Sequence, residues 1–362
     1  MRFKELLLVF VVPLFYLNSV AQPYKKIVCN YSDSVVGSYY SKVFLAESFL
    51  MQEKSDSALK YYTDARKVFG LYQLNDRRNV MICLNNCSDT SILKEWFRFG
   101  YYCAADSIGP ENYMKLYHSF IPESLSSNLL ETLQHTPKMK WAYIQEHEQI
   151  SQILNPLYEI DQKYRSEEFA NSNDKYILLQ RKKSDKRNFS ILISCYKRFG
   201  DFSTNRFSGL YKNADDAYRL ILVHYFFNAE NRVKQHDFFV GQVKKGNLDS
   251  RVYAQIVDNY LSDTSQVYGC HTSFCYNDTV VVYELSEPYK SRINRNRSRI
   301  FLQDIETLHQ KQVWAWQNFS LYSFETLWVV IPEKSSDTVR ELAEKYKYLM
   351  GPMVVGYTIY TR

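Results

Sequence analysis

Apolar positions recur at helical spacing along most of the chain. Across residues 37–69, Leu45, Ala46 and Phe49 share one face of a first predicted helix, and Ala58, Tyr62 and Ala65 one face of a second. Ser55, ahead of Asp56-Ser57-Ala58, is the expected cap of the second. From Arg77 to Gly100, Val80, Leu84, Leu93, Trp96 and Phe97 surround a polar turn at Asn85 to Thr90, and residues 111–135 add further helices. Helical spacing continues over Trp141–Leu154 through Ile150, Ile153 and Leu154. Asn155-Pro156 then reads as the cap and first-position proline of a new helix carrying Leu157 and Ile160. After a polar stretch at 166–175, helices are expected over Asp185–Phe199, Tyr218–Lys234 and Arg251–Leu261. The last of these has Val252, Ile256, Val257 and Tyr260 on one face.

The period then shortens. Gln266–Cys275 and Thr279–Leu285 flank Asn277-Asp278 and predict an antiparallel hairpin. Thr326–Ile331 and Met353–Tyr360 read as strands around a helix over Thr338–Met350. Thr338 and Glu341 supply a capping box for that helix, and Gly351-Pro352 a stop. The expected fold is mainly α: tetratricopeptide-like helical hairpins over 22–140, a helical domain with a β-hairpin over 141–310, and a small strand-helix-strand unit over 311–362.

Composition agrees with a packed helical protein. A chain of 362 residues with 46% hydrophobic and 23% charged positions folds, and 31 Tyr and 22 Phe against 11 Gly favour helices with amphipathic surfaces over a loop-rich sandwich. Met1 to Gln22 has the layout of a secretory leader: Arg2 and Lys4, an apolar run from Leu6 to Leu17, then Ser19-Val20-Ala21 at a cleavage point, giving a leader over 1–21. The run is short for a bilayer span and carries Pro13, so cleavage is favoured over a retained anchor. A periplasmic or secreted location follows, with no membrane span once the leader is removed.

In that setting the seven cysteines are free to pair. Cys83 and Cys87 sit four apart on an expected helix, and Cys270 and Cys275 roughly 16 Å apart along an expected strand, which disfavours both local pairings. Cys/His spacing for zinc is absent, and His271 beside Cys270 reads as incidental. The net charge of +6 is modest, and the basic runs Arg181–Arg187 and Arg292–Arg299 read as solvated faces, so no nucleic-acid partner is expected.

The small-large-small positions of residues 37–69 resemble a tetratricopeptide repeat, whose stacks present a concave surface to peptides. Phe49 and Tyr62 are therefore candidate partner-binding residues. Further along, Asp161-Gln162 with Arg165, Asp185 with Asn188, the His224 helix, and Gln266-Val267-Tyr268-Gly269, followed by Arg295 and Arg297, resemble an uncharacterised bacterial extracytoplasmic family, a domain of unknown function preceded by helical repeats. The likeness spans residues 150–310. That family commonly places Asp two residues after the His; here Tyr225-Phe226-Phe227 follow His224, and Asp216, Glu230, His236 or Asp258 are candidate substitutes.

The catalytic candidates are Asp161, Arg165, His224 and Tyr268, with Arg165 suited to a carboxylate or phosphate. As a structural alternative, Asp161 and Arg165 form a helical ion pair. Gly269 is expected to allow a turn entering the strand. No phosphate-cradling glycine loop, His-Glu-x-x-His, Gly-x-Ser-x-Gly or haem attachment motif is present, and no cofactor or metal is expected. The function expected is a protein or peptide interaction module outside the cytoplasm, with a hydrolase-like enzyme as the alternative.

Overall fold

The computed structural model describes residues 31–69, 74–102, 109–117, 121, 123–136, 142–165, 174–199, 212–226, 228–258, 266–276, 279–318, 329–330 and 338–361. The segment 1–21 expected as a leader, Cys29, Cys103 and Asn277-Asp278 lie outside them. The protein is mainly α-helical, with one small sheet near its C-terminal end.

Helix α1 (Asp33–Leu50) buries Val36, Tyr39, Tyr40, Val43, Ala46 and Leu50, a stripe at helical spacing. It packs on α2 (Ser55–Phe69) through Ala58, Leu59, Tyr62 and Ala65, where the small residues let the two helices approach. Removing each such large side chain from water contributes about 1.5–3 kcal/mol. Ser55 is the first residue of α2 rather than the residue before it. Helices α3 (Leu74–Asn85), α4 (Thr90–Tyr102), α5 (Pro110–Tyr117) and α6 (Glu123–Gln134) follow. Leu93, Phe97, Tyr101, Tyr113, Leu125, Leu129 and Leu133 close a second core there.

The central layer corrects three boundaries. Helix α7 (Ala142–Lys163) runs unbroken through Pro156. Proline cannot donate to the carbonyl four residues back, but Pro156 and Gln152 both lie on the exposed face, where water takes that carbonyl. Helix α8 (Lys175–Phe199) starts ten residues before the expected Asp185, because the Asp174 carboxylate accepts the Tyr176 N–H at 2.7 Å and caps it. The single helix expected over Tyr218–Lys234 is two, α9 (Lys212–Phe226) and α10 (Ala229–Lys244). Asn228 caps α10 by accepting from the Glu230 N–H, while Asn231 and Arg232 reach back to the terminal carbonyls of α9 at Tyr225 and Phe226. Helix α11 (Ser250–Asp258) completes the layer.

After α11 the chain turns before it becomes a strand. Residues 266–272, expected as strand, wrap around the Asp258 carboxylate, which accepts N–H groups from Val267, Tyr268 and Cys270 at 2.8–3.0 Å. Gly269 makes this possible, with φ +73° and no room for a Cβ between Ile293 and Ile305. Cys270 therefore belongs to the turn, and only Cys275 lies in β1 (Ser273–Tyr276). Cys83, Cys87, Cys195, Cys270 and Cys275 are thiols.

Strand β1 pairs antiparallel with β2 (Thr279–Leu285), as the alternation predicts. Helices α12 (Glu287–Ser298) and α13 (Ile305–Gln317) intervene before β3 (Val329–Val330), which lies parallel to β1. Helix α14 (Val339–Met350) carries the expected capping box: the Thr338 N–H donates to Glu341 at 2.6 Å, and the Glu341 N–H to the Thr338 hydroxyl at 3.3 Å. Strand β4 (Val354–Thr361) then pairs antiparallel with β2, giving the order β3-β1-β2-β4. The two strands of the C-terminal segment thus straddle the hairpin and share its sheet.

One cluster fastens the N-terminal helices to the rest. Arg251 on α11 holds Asp76 of α3 at 2.8 Å and Asp249 at 3.2 Å and approaches Glu47 of α1 at 3.6 Å, while Lys311 of α13 pairs with Glu47. All five side chains are at most 4% exposed, so they are closed to solvent ligands. Among the described residues no helix is long and apolar enough to cross a membrane.

Candidate functional site

Three helices of the central layer bring four polar side chains together. Asp161 and Arg165 lie at the C-terminal end of α7, Asp185 on α8 and His224 in the last turn of α9. On α7 itself Leu154 and Leu157 are core residues, as are Phe189 and Leu192 of α8, so the helix turns Asp161 inward one turn beyond Leu157. His224 follows Ile221 and Leu222 on α9 for the same reason.

The His224 Nδ1 lies 2.9 Å from the Asp161 carboxylate. A carboxylate accepts, so the neutral imidazole carries its proton on Nδ1 and keeps its lone pair on Nε2. Asp161 also accepts from Gln162 Nε2 at 2.8 Å and from Arg165 Nη1 at 2.9 Å, and Arg165 Nη2 reaches Asp185 at 2.6 Å. The cluster is graded in exposure: Asp161 is 1% exposed, His224 10%, Arg165 17% and Asp185 18%. The carboxylate that orients the imidazole is sealed, and the outer pair faces solvent. Burial raises the Asp185 carboxyl above its usual range, against the pull of the Arg165 guanidinium and the His224 ring.

One ligand atom each from Asp161, Asp185 and His224 lies within 4.8 Å of the others, a donor set suited to a divalent ion. The Arg165 guanidinium already bridges both carboxylates, so a cation there would compete with it for them.

Of the four catalytic candidates, Asp161, Arg165 and His224 converge, and Tyr268 does not. Tyr268 is buried against Tyr253, ring centroids 5.9 Å apart, with its backbone held by Asp258 and by Arg297. Of the two readings of Arg165, the helical ion pair with Asp161 is present; with Asp185 on the other terminal nitrogen, both nitrogens serve internal carboxylates rather than an external anion. The acid missing after His224 is supplied by Asp161, 63 residues upstream, and not by the nearby candidates. Asp258 caps the 266–272 turn, His236 meets Tyr253, Glu230 is exposed, and the Asp216 side chain lies outside the described residues. Asp185 was not singled out as a site residue, although it is among the residues that carry the family resemblance.

Residues 266–272 and the helix Glu287–Ser298 form a separate clasp. Arg297 is fully buried and donates to the Tyr268 carbonyl at 2.9 Å, Asn296 donates to that of Val267, and Arg292 to that of Gln266. Those groups position the turn by taking its backbone carbonyls. In the N-terminal helices, Tyr62 is fully buried with its hydroxyl taking the Asn79 amide, which removes it as a partner contact. Phe49 is half-buried and stacks on Tyr61 at 5.3 Å. Family models, curated proteins and solved structures gave no match to this chain.

Proposed function

We propose that the protein is an enzyme of general acid–base type, hydrolase-like, acting outside the cytoplasm through His224. The observation that carries this reading is the Asp161–His224 contact at 2.9 Å, which fixes the ring and its tautomer and leaves Nε2 as a base. Arg165 holds Asp161 in place and offsets its charge, and the carboxylate accepts from the imidazole. Asp185, at the solvent edge, marks the side from which a water or hydroxyl would approach. Five of the residues that carry the resemblance to the extracytoplasmic family, Asp161, Gln162, Arg165, Asp185 and His224, are linked by hydrogen bonds, which supports a shared role. The leader-like start of the chain supports the location.

The test is turnover of chromogenic carboxylic esters, phosphate esters and glycosides by the full chain, beside His224→Gln and Asp161→Asn. A rate that falls about 100-fold or more in both variants is expected. Equal rates in all three proteins, or none above buffer on any substrate, overturn the reading.

A second reading, docking through tetratricopeptide-like helices over 22–140, rests on Leu45, 47% exposed on α1 one turn from Phe49. Loss of crosslinking to envelope protein in a Leu45→Glu variant of the full chain is its expected signature, and unchanged crosslinking removes it.

A further inference from the structure

Strand β4 ends the sheet. It is eight residues long, pairs with β2 on one side and, among the described residues, meets no strand on the other. Edge strands are usually blunted by charge, proline or brevity. Val354-Val355-Gly356-Tyr357-Thr358-Ile359-Tyr360-Thr361 has none of these, and its one irregularity is a register shift at its start, opposite Glu284 and Leu285.

The face of this strand carrying Thr358 and Tyr360 opens on a cavity of about 680 Å³ between the sheet and α13, within the range of ligand sites. Glu284, Glu306 and Lys290 are its charged walls. Lys290 is already held by Glu287 at 2.5 Å and Glu306 at 3.3 Å. His309, deeper in, is neutral: burial, with Arg297 nearby, pushes it down to about 4. Glu284 is fixed toward the cavity side, accepting from the Thr358 hydroxyl at 3.1 Å, and a Cβ at Gly356 would meet its Oε2 at 3.1 Å. The cavity wall therefore carries surplus negative charge beside an edge that no other strand occupies among the described residues.

We propose that β4 and this cavity form a docking site for an extended peptide bearing lysine or arginine, which adds to the sheet as a fifth strand. Such a strand lies roughly 10 Å from β2, and a long basic side chain on its cavity face reaches back over β4 to Glu284. A second copy pairing β4 with β4 would bring an uncharged strand and leave those carboxylates unmatched.

The test uses the full chain with a fluorescein-labelled octapeptide alternating lysine and valine, and its glutamate counterpart. Fluorescence anisotropy should show the lysine peptide binding about tenfold or more tightly than the glutamate one. Hydrogen exchange should slow at about half of the amides of residues 354–361, those facing outward. Glu284→Gln with Glu306→Gln should weaken the lysine peptide about tenfold at an unchanged melting temperature; if the double variant melts early, the exchange result on the wild-type chain decides. Equal binding of the two peptides, unaltered exchange in β4, or dimerisation that protects β4 without peptide overturns the proposal.

Discussion

Two charged clusters lie inside this protein, and they are built to opposite plans. The cluster around Arg251 joins Glu47, Asp76 and Asp249, with Lys311 on Glu47, and is sealed on every side. The cluster around Arg165 joins two carboxylates and one imidazole and has an open edge. In the first, burial presses on the Arg251 guanidinium, yet Asp249 and Asp76 outweigh it and hold its pKa well above the ordinary value. In the second, an imidazole with its Nδ1 held by Asp161 sits among the charges. Ion pairs alone therefore do not mark a site. On the proposed function, an imidazole with one nitrogen fixed does.

The comparison can be broken by substitution. Arg251→Met strands Asp76 and Asp249 in the core and should remove about 3–5 kcal/mol of stability in urea unfolding; a loss near zero would make the sealed cluster dispensable. Asp161→Asn should cost about 100-fold in turnover, and the imidazole should lose its Nδ1–H tautomer in nitrogen NMR. Arg165→Met should cost about 1–3 kcal/mol, less than Arg251→Met, because Asp185 can reach water and Asp161 keeps Gln162 and His224 as partners. A loss equal to that of Arg251→Met would remove the distinction.

The smallest effect is in pH. The folded Asp185 carboxyl lies above its usual value, so it binds a proton more tightly in the folded state than in the unfolded one. Its contribution to stability is present below the ordinary carboxylate range and is lost as pH rises through the raised value. Asp185→Asn should therefore flatten the stability curve just above that range, as read by urea unfolding at stepped pH.

The elements legible in the sequence are those with one-sided burial. Val36 to Leu50 and Ala58 to Ala65 show their period because one face meets core. The N-terminal half of α8 hides it, since Tyr176, Leu178 and Leu179 are exposed and the Asp174 cap sits in a polar run. The turn over 266–272 reads as strand because its backbone is organised by Asp258, outside the segment itself. Asp161, Arg165 and His224 were visible as types, but the contact that matters links positions 63 apart, and proximity along the chain pointed instead to residues near His224. The Arg251 cluster left no local sign, because its members come from four segments far apart in the chain: Glu47, Asp76, the Asp249–Arg251 pair and Lys311.

The sealed cluster also sets an order of assembly. Glu47 and Asp76 leave the ribosome, and enter any export channel, long before Arg251 and Lys311, so the first helices carry buried acids whose counter-ions arrive about 200 residues later. Until then the α1–α3 face stays hydrated and open. The final closure is therefore a late, long-range event, and residues 22–140 cut from the chain would lack the partners that complete their interior.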